Sequence, residues 1–433
     1  MRTHLIMLLI TFLSVNLIAQ EKITLQDAIR IGLQNNYSIK ISTLEKDKSE
    51  NALNIGTSAF LPSLDLQINQ NNTNNNVKQS FYDGREVERA GAKGNSIDGN
   101  ITANWTVFDG LGMFIDYDIL QVNNKISQLN LKKKSEDLVA QIILAYNDLF
   151  YLKDQLSTIK KNLDISRFRF NILNIRKEAG KASGMELIQA EIDLNNDIAD
   201  SIEFFNNYLL QKSEFNLLLG EDISKQFEIS DSMKIISKEF NFFELKNNLK
   251  NNTEIMLADL GIEITINERK RLESNYLPSI NVYGGYNYSS LESQSGLLKS
   301  NTTNGLNYGV SLNMNLFEGF RNKTLIENKD LETEITKLNK EDLKKIIEKE
   351  LKFFIDSYNS NQNILIFQEK NLQLSQKSLE IAKEKLQIGT ISQIEFREIQ
   401  QKYFDALQRH LLIKINLKNI DYSIQKTLGN LIK

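Results

Sequence analysis

Side chains that could carry out chemistry are few in this chain of 433 residues. It contains no cysteine, which excludes disulfides and thiolate metal sites, and it contains two histidines. His4 lies in an N-terminal segment that we expect to be removed, so only His410 remains for imidazole chemistry. No Gly-x-x-x-x-Gly-Lys-Ser/Thr loop is present. A hydrolase would need clustered catalytic groups, whereas the carboxylates are scattered, so we predict no enzymatic activity, metal or cofactor.

The carboxylates with the most distinctive setting follow two glycine-containing segments. Residues 179–186 read Ala-Gly-Lys-Ala-Ser-Gly-Met-Glu, and residues 388–395 read Ile-Gly-Thr-Ile-Ser-Gln-Ile-Glu. Glycine at a helix C-terminus readily adopts a left-handed cap, and a serine three residues before a glutamate has the spacing of a capping box. Glu186 and Glu395 are therefore candidates for helix caps or for an electrostatic role in a gate, and the sequence leaves both open.

The glycine segments require helices before and after them, and the sequence permits very long ones. No proline and no further glycine occur between Gly112 and Glu178 or between Gly319 and Ile388. Each stretch could form a helix on the order of 100 Å long at about 1.5 Å per residue. Apolar residues recur every seventh position at Ile142, Leu149, Leu156, Leu163 and Phe170 and at Leu351, Tyr358, Leu365, Leu372 and Leu379. Such heptads predict coiled-coil packing.

Four other segments alternate apolar and polar residues, which predicts amphipathic β-strands of about 8–12 residues. Their polar face is rich in Asn, Ser and Thr, which suits a water-filled lumen, and their length suits a tilted membrane strand. Alternation alone is also compatible with a soluble sandwich. Aromatic candidates for a girdle at the bilayer surface are Trp105, Tyr286, Tyr288 and Tyr308.

A membrane barrel cannot leave unpaired strand edges in lipid, and the smallest closed barrels have about eight strands. One chain supplies four predicted strands, so a membrane barrel would have to be shared among several copies. We expect the segments 71–99 and 289–304, between the strands of each pair, to be exposed loops.

An internal duplication organises these elements. Leu-Pro-Ser at residues 61–63 recurs at 277–279, and Phe-Asp-Gly at 108–110 recurs as Phe-Glu-Gly at 317–319. Gly180 matches Gly389, and the dipeptide Leu-Gly ends both halves, at 219–220 and 428–429. We therefore predict a first structural repeat at residues 21–220, an equatorial segment at 221–250 and a second repeat at 251–433.

Residues 1–20 have a basic start, an apolar core and a small residue near the end, which predicts a secretory signal peptide. A membrane anchor is the alternative for this segment.

The formal net charge is −3, and no basic patch is present, which argues against a nucleic-acid partner.

The duplicated order of Leu-Pro-Ser, Phe-acid-Gly, Gly-x-x-Ser-x-x-Glu and Leu-Gly resembles the TolC-type outer-membrane efflux proteins. The resemblance implies a mainly α fold with a membrane β-barrel, in which a homotrimer shares twelve strands and continues as a long α-helical barrel. It also implies a place in the outer membrane of a Gram-negative bacterium, extending into the periplasm. The implied partners are outer-membrane lipid, a periplasmic membrane-fusion adaptor and an inner-membrane pump of the RND or ABC type.

The resemblance also assigns roles to individual residues. Acidic residues that line a closed aperture in the family match Glu186, Glu395 and Glu398. In one member of the family, an arginine and a tyrosine help to lock the second turn. The matching residues in this chain are Ile391 and Leu386, so we expect that lock to be absent. The residues expected to contact the adaptor lie in the two turns: Gly180, Lys181, Ser183, Gly184, Gly389, Thr390, Ser392 and Gln393.

These observations predict a passive channel subunit of a tripartite efflux or type I secretion system, powered by a partner. The alternative is a secreted coiled-coil scaffold or adhesin, which would account for the helices but not for the strands.

Overall fold

The computed structural model describes residues 21–54, 56, 60–230, 238–295 and 298–432, so the predicted signal peptide lies outside the described residues. The chain forms two compact units. One contains the described residues up to Thr43 together with Asn130–Met256 and Asp342–Lys433, and the other contains Leu44–Leu129 and Leu257–Glu341.

Helices make up most of the chain, and the two long predicted helices are present with 67 and 68 residues, as α3 and α7. None of the helices in the described part combines the length and apolar character needed to cross a membrane. In chain order the helices are α1 (Leu25–Asn35), α2 (Tyr37–Ala52), α3 (Gly112–Glu178), α4 (Gly184–Leu219), α5 (Phe242–Lys246), a 3₁₀ turn (Asn247–Asn251), α6 (Thr253–Ser274), α7 (Arg321–Ile388) and α8 (Gln393–Thr427).

The predicted heptad residues are all buried or half-buried, so the seven-residue pattern is confirmed as the packing seam of α3 and α7. Ile142 and Leu149 of α3 pack in a cluster with Phe215 of α4. Leu351 and Tyr358 of α7 pack in a second cluster that includes Ile424 of α8. Each fully buried side chain of this size contributes about 1.5–3 kcal/mol relative to an exposed one.

The C-terminal ends of α4 and α8 are held in the same way. Asn36 donates its side-chain amide to Leu218 O at 2.8 Å, and Asn252 donates its side-chain amide to Thr427 O at 2.9 Å. Each bond satisfies a carbonyl that the helix end leaves without an intrahelical partner. Gly220, two positions after Leu218, has a left-handed backbone conformation with φ +71°. A Cβ on Gly220 would lie 2.7 Å from Asn35 O.

Four antiparallel strands form one sheet in the order β2-β3-β5-β6: β2 (Ser63–Ser80), β3 (Glu86–Asp109), β5 (Ser279–Ser293) and β6 (Ser300–Asn313). The predicted strands are present but longer than expected. The predicted loop at 71–99 is wrong, because β2 and β3 remain paired as far as Ser80 and Glu86. Ladder hydrogen bonds hold this Asn-rich segment extended despite its low intrinsic strand preference. The loop predicted at 289–304 is also shorter in the structure than predicted, because β5 and β6 pair as far as Glu292 and Ser300.

The ladder places apolar side chains on one face of the sheet. Directly paired residues of antiparallel strands point to the same side, and Leu66, Ile101, Tyr286 and Leu306 form one such row. The adjacent row on the opposite face is Asp65, Thr102, Gly285 and Asn307. The predicted separation of an apolar from a polar face is therefore present across all four strands.

A β-bulge alters the predicted alternation at one point. The register shifts between Thr106 and Phe108, so Phe108 and not Val107 pairs with Ile280. The extra residue of a bulge reverses the side on which the following side chains point. Phe108 consequently takes the place on the apolar face that strict alternation assigns to Val107.

A second, parallel pair of short strands was not predicted. β1 (Glu21–Ile23) pairs with β4 (Phe227–Ile229), and Ile23, Phe227 and Ile229 are buried in the cluster that contains Ile142. Three-residue strands carry too little pattern to be recognised from sequence.

Candidate functional site

The first glycine turn joins α3 to α4 through two caps. Gly180 adopts a left-handed conformation with φ +68°. The hydroxyl of Ser183 accepts a hydrogen bond from the Glu186 amide at 3.2 Å, and the Glu186 carboxylate accepts one from the Ser183 amide at 2.7 Å. The predicted capping box is therefore present, and the carboxylate of Glu186 holds the beginning of α4.

The second glycine turn, between α7 and α8, repeats this geometry. Gly389 has φ +81°, and the Ser392 hydroxyl accepts a hydrogen bond from the Glu395 amide at 3.1 Å. The Glu395 carboxylate accepts from the Ser392 amide at 3.0 Å. Hydrogen bonds that Ser392 makes to this carboxylate, first from its backbone and then from its side chain, lower the pKa of Glu395. Capping is thus confirmed for both glutamates, and a role in gating stays a prediction.

Arg176 brings the two turns together. Its guanidinium donates to Lys181 O at 3.4 Å, and a Cβ placed on Gly389 would lie 2.8 Å from the same nitrogen. The two glycine turns, which hold the residues expected to contact an adaptor, therefore lie next to each other. Among these residues Lys181, Ser183, Gly184, Thr390 and Gly180 are exposed, whereas Gln393 is buried.

The residues around the start of α8 differ in their exposure. Glu398 is exposed on the turn of α8 that follows Glu395. Leu386 is buried, and Ile391 packs against the apolar cluster to which Leu386 belongs. Phe396 of α8 is a fully buried member of the same cluster. Where the resemblance places a tyrosine and an arginine, this chain therefore has apolar residues of the apolar cluster that joins the end of α7 to α8.

A buried polar cluster that the sequence did not reveal joins α3, α4 and α8. Arg397 of α8 donates to both carboxylate oxygens of Asp197 on α4, at 2.9 and 3.0 Å. Asp197 also accepts hydrogen bonds from Ser166 and, at 3.2 Å, from Asn162 on α3. We call this group, with its further members, the α3–α4–α8 polar cluster: Asn162, Ser166, Arg169, Asp193, Asp197, Arg397 and Gln400.

A second ion pair completes the cluster. Arg169 of α3 donates to Asp193 of α4 at 2.9 Å, and its side chain is 0% exposed. Two of its nitrogens, Nε and Nη1, have no hydrogen-bond partner. Burial is the main cause that lowers the pKa of Arg169, and the positive charge of Arg397 acts in the same direction. One signal in the sequence was available, because Ser166, Arg169 and the buried Leu173 share a helical stripe.

The aromatic residues predicted to form a girdle all lie on the apolar face of the sheet. Tyr288 pairs with Gly99, Tyr286 with Ile101, and Trp105 with Val282. Tyr308 pairs with Gly284. The four aromatics therefore occupy four successive rows that span about 20 Å at ~3.4 Å per residue, rather than a single level.

Comparisons with known proteins identify the family. The model of the outer membrane efflux protein family matches residues 28–221 and 245–430. Nodulation protein T of Rhizobium leguminosarum bv. viciae is 22% identical over 196 residues, which are 44% of this chain and 39% of that protein. The chain therefore matches less than half the length of this relative.

Solved structures of outer-membrane channels have the same fold. The Campylobacter jejuni CmeC outer membrane channel superimposes with a TM-score of 0.77 at 16% identity, covering 94% of this chain and 86% of that chain. The open state of the Neisseria gonorrhoeae MtrE outer membrane channel superimposes with a TM-score of 0.73 at 16% identity, covering 94% and 89%. The predicted resemblance is thereby confirmed, and these relatives are channels rather than enzymes. Because the family model covers most of both halves of the sequence, the chain belongs to the outer membrane efflux protein family.

Proposed function

We propose that three copies of this chain form one passive channel, in which each copy gives β2, β3, β5 and β6 to a shared twelve-stranded barrel. The proposal rests on the exposed apolar face of the four-stranded sheet. Leu306, Tyr308 and Val310 on its apolar face are 77%, 83% and 69% exposed. An apolar face this exposed needs a covering, and lipid supplies one. The opposite face, with its Asn, Ser and Thr side chains, would line water.

The height of the apolar face supports this placement. It runs along β5 from Ile280 to Tyr288, about 27 Å at ~3.4 Å per residue. The apolar band of an outer-membrane barrel is about 25 Å tall. Trp105 and Tyr288, near its two ends, are the best candidates for the two interfacial belts, and Tyr286 and Tyr308 lie between them.

The edges of the sheet support sharing between copies. β2 and β6 are its edge strands, and each has one strand partner in the described part of the chain. Unpaired backbone groups are costly in lipid, and pairing β6 of one copy with β2 of the next would satisfy them. Three copies would supply twelve strands, which exceeds the smallest closed barrels of about eight.

The internal duplication explains how one chain supplies two similar hairpins. We propose residues 21–220 and 251–433 as the two repeats, with 221–250 as the equatorial segment between them. The matched bonds of Asn36 and Asn252 to the ends of α4 and α8 support this division. The left-handed Leu111 and Phe320 support it as well, because each directly follows the glycine of a Phe-acid-Gly motif.

At the glycine turns, we assign Glu186, Glu395 and Glu398 to an aperture. Copies of these carboxylates related by threefold symmetry would repel one another and favour cations. A test is the cation selectivity of the double variant Glu395→Gln with Glu398→Gln in planar bilayers. Glutamine preserves the capping-box geometry at residue 395, so the test isolates charge. Unchanged selectivity and unchanged block by divalent cations would remove Glu395 and Glu398 from the aperture.

The exposed turn surface would receive a periplasmic membrane-fusion adaptor, and an inner-membrane pump of the RND or ABC type would supply energy. Such a channel would extend from the outer membrane into the periplasm. The exported substrate would be selected by the pump.

The trimer is tested by membrane fractionation followed by mass measurement in detergent. We expect the mature protein in the outer-membrane fraction, with a protein mass about three times that of one chain. A secreted scaffold or adhesin would instead be extracted by aqueous buffer without detergent, and a monomer in detergent would contradict the shared barrel.

A further inference from the structure

A cavity of about 280 Å³ lies between α3, α7, α8 and the beginning of α6, and all the residues that line it belong to one compact unit. Part of its wall is apolar, formed by Ala140 and Leu144 of α3 and by Ile347 and Phe354 of α7. Leu144 is exposed, which marks a side from which a ligand could enter. Pockets for small molecules have volumes of about 300–1,000 Å³, so this cavity has room for a small ligand only.

Glu136 of α3 places a buried carboxylate in the wall of this cavity. Its side chain is 5% exposed, and its Oε2 accepts a hydrogen bond from the Thr253 hydroxyl at 2.9 Å. Its Oε1 is buried without a hydrogen-bond partner among the described residues, and the Lys132 ammonium, at 3.7 Å, lies beyond hydrogen-bond distance. A buried carboxylate oxygen in this state has lost its hydration without gaining a donor. A ligand that donates a hydrogen bond to Oε1 would therefore be stabilised in the cavity.

The other charged groups of the wall are unsuited to supply that donor. Lys133 binds Glu254 at 2.7 Å, and Lys426 binds Asp137 at 2.7 Å. Both lysines of the wall are thereby neutralised, whereas the buried carboxylate and the exposed Glu350 add two further negative charges. The wall therefore has an excess of negative charge, which favours a cationic ligand.

The internal duplication shows that helix packing does not require a carboxylate at this position. The residue 209 positions after Glu136 is Lys345, which is exposed. The residue 216 positions before Thr253 is Tyr37, whose side chain is 74% exposed. The asparagine bonds to the ends of α4 and α8 occur in both halves, but the buried carboxylate with its threonine partner occurs in the first half alone. Its presence there is consistent with a specific ligand.

We propose that this cavity binds a small organic cation, whose ammonium group donates to Oε1 of Glu136 and whose apolar part contacts Phe354 and the aliphatic wall. A hydrogen bond between an ammonium and a carboxylate is stronger than one between neutral groups, and an aromatic ring also attracts a cation. The inference goes beyond the proposed channel function and does not depend on it, because one chain supplies every residue of the site.

A metal ion fits the cavity less well than an organic cation does. Within the described ranges, no three His, Asp or Glu side chains converge as metal ligands. Ca²⁺ takes about 6–8 oxygen ligands, and an apolar wall such as that of Ala140, Ile347 and Phe354 supplies none. An ammonium group with an apolar substituent matches both the single buried carboxylate oxygen and the apolar wall.

The test is a calorimetric titration of the whole protein in detergent with benzylammonium, and with benzyl alcohol as the neutral counterpart. We expect one benzylammonium per chain, and affinity for benzyl alcohol that is lower by about tenfold or more, because it carries no charge. Glu136→Gln retains an acceptor for Thr253 and should weaken benzylammonium binding by about tenfold or more. Ala140→Leu, which fills the cavity and leaves the carboxylate in place, should weaken the binding of both ligands.

Asp164→Asn is the matched control, because Asp164 is an exposed carboxylate of α3 that does not line the cavity. This variant should bind benzylammonium like the wild type. Equal affinity of the wild type and Glu136→Gln, or equal affinity for the charged and the neutral ligand, would overturn the proposal. If Glu136→Gln fails to fold, Ala140→Leu and the neutral ligand still decide. A wild type that conducts ions in bilayers but binds no benzylammonium would overturn the cation site and leave the proposed channel function intact.

Discussion

At the scale of single residues, backbone conformation and space decide which positions tolerate change. Gly110 and Gly319 occupy equivalent Phe-acid-Gly motifs, and both are left-handed, with φ +73° and +61°. A Cβ on Gly110 would overlap Ser274 O and lie 2.9 Å from the Leu277 Cβ, whereas nothing lies within 4 Å of one on Gly319. Both positions therefore require a residue that tolerates a left-handed backbone, but only Gly110 also lacks space for a side chain.

We predict that Gly319→Ala costs about 1–2 kcal/mol, the penalty of a left-handed alanine. Gly110→Ala should cost a further ~1–3 kcal/mol, because neighbouring backbone must move to admit the methyl group. The measurement is the free energy of unfolding from denaturant titrations of the two variants. Equal losses for both variants would show that the contacts around Gly110 relax freely.

The capping box at Glu395 predicts a dependence on pH. Hydrogen bonds from Ser392 lower the pKa of Glu395 in the folded protein below the ordinary value of a glutamate. The carboxylate therefore stabilises the start of α8 above that value, and this contribution is lost as the pH falls through the lowered pKa. The amide chemical shift of Ser392 should follow this titration in the wild type. In Glu395→Gln the shift should not titrate, and an identical titration there would assign the effect to another group.

The capping residues could be predicted from sequence because a capping box is local, with its two partners three positions apart in the chain. The polar cluster could not, since Arg397 and Asp197 are 200 positions apart in the chain. Nothing in the neighbourhood of either residue distinguishes it from a solvated charge. Only the packing of three helices shows that Asp197 is buried and that Arg397 is half-buried against it.

At the scale of elements, the heptads of α3 and α7 determine which helix faces are buried. Leu351 of α7 is 0% exposed and lies in the cluster with Ile424, whereas Leu331 on the same helix is 64% exposed. The seven-residue period predicted this difference from sequence, because Leu351 belongs to the heptad series and Leu331 does not. Such a period identifies the buried face of a helix without knowledge of the remaining fold.

We predict that Leu351→Ala lowers the free energy of unfolding by about 2–5 kcal/mol through lost burial and the cavity left behind. Leu331→Ala should change it by less than about 0.5 kcal/mol in detergent, since an exposed position loses no packing. The free energy of unfolding of each variant is obtained from the loss of its helical circular dichroism signal during a denaturant titration. Similar effects at both positions would indicate that Leu331 is covered in the assembled protein.

The strands were predictable in position and facing but not in length. Alternation in β5 and β6 identified the apolar face, which the pairing of Tyr286 with Leu306 bears out. The Asn-rich residues 71–76 have neither alternation nor strand preference, and their extended form depends on pairing with β3. The bulge between Thr106 and Phe108 was also beyond prediction, because it depends on the register with β5.

At the scale of the whole molecule, the duplicated motifs were sufficient to predict the family, because their order is repeated over most of the chain. The pairing of β1 with β4 was not predictable, since it joins three-residue segments about two hundred positions apart. The central claim at this scale is that the apolar face of the sheet contacts lipid while the opposite face contacts water, which a chain with four such strands achieves only by assembling with copies of itself.

Single cysteines introduced along β6 test this claim most directly, because the chain has no native cysteine. Each variant would carry a fluorophore in reconstituted vesicles, with one quencher in the lipid tails and another in water. We predict that labels at Leu306, Tyr308 and Val310 are quenched from lipid and that labels at Asn307 and Ser311 are quenched from water. Equal quenching of all five positions from water would contradict the account.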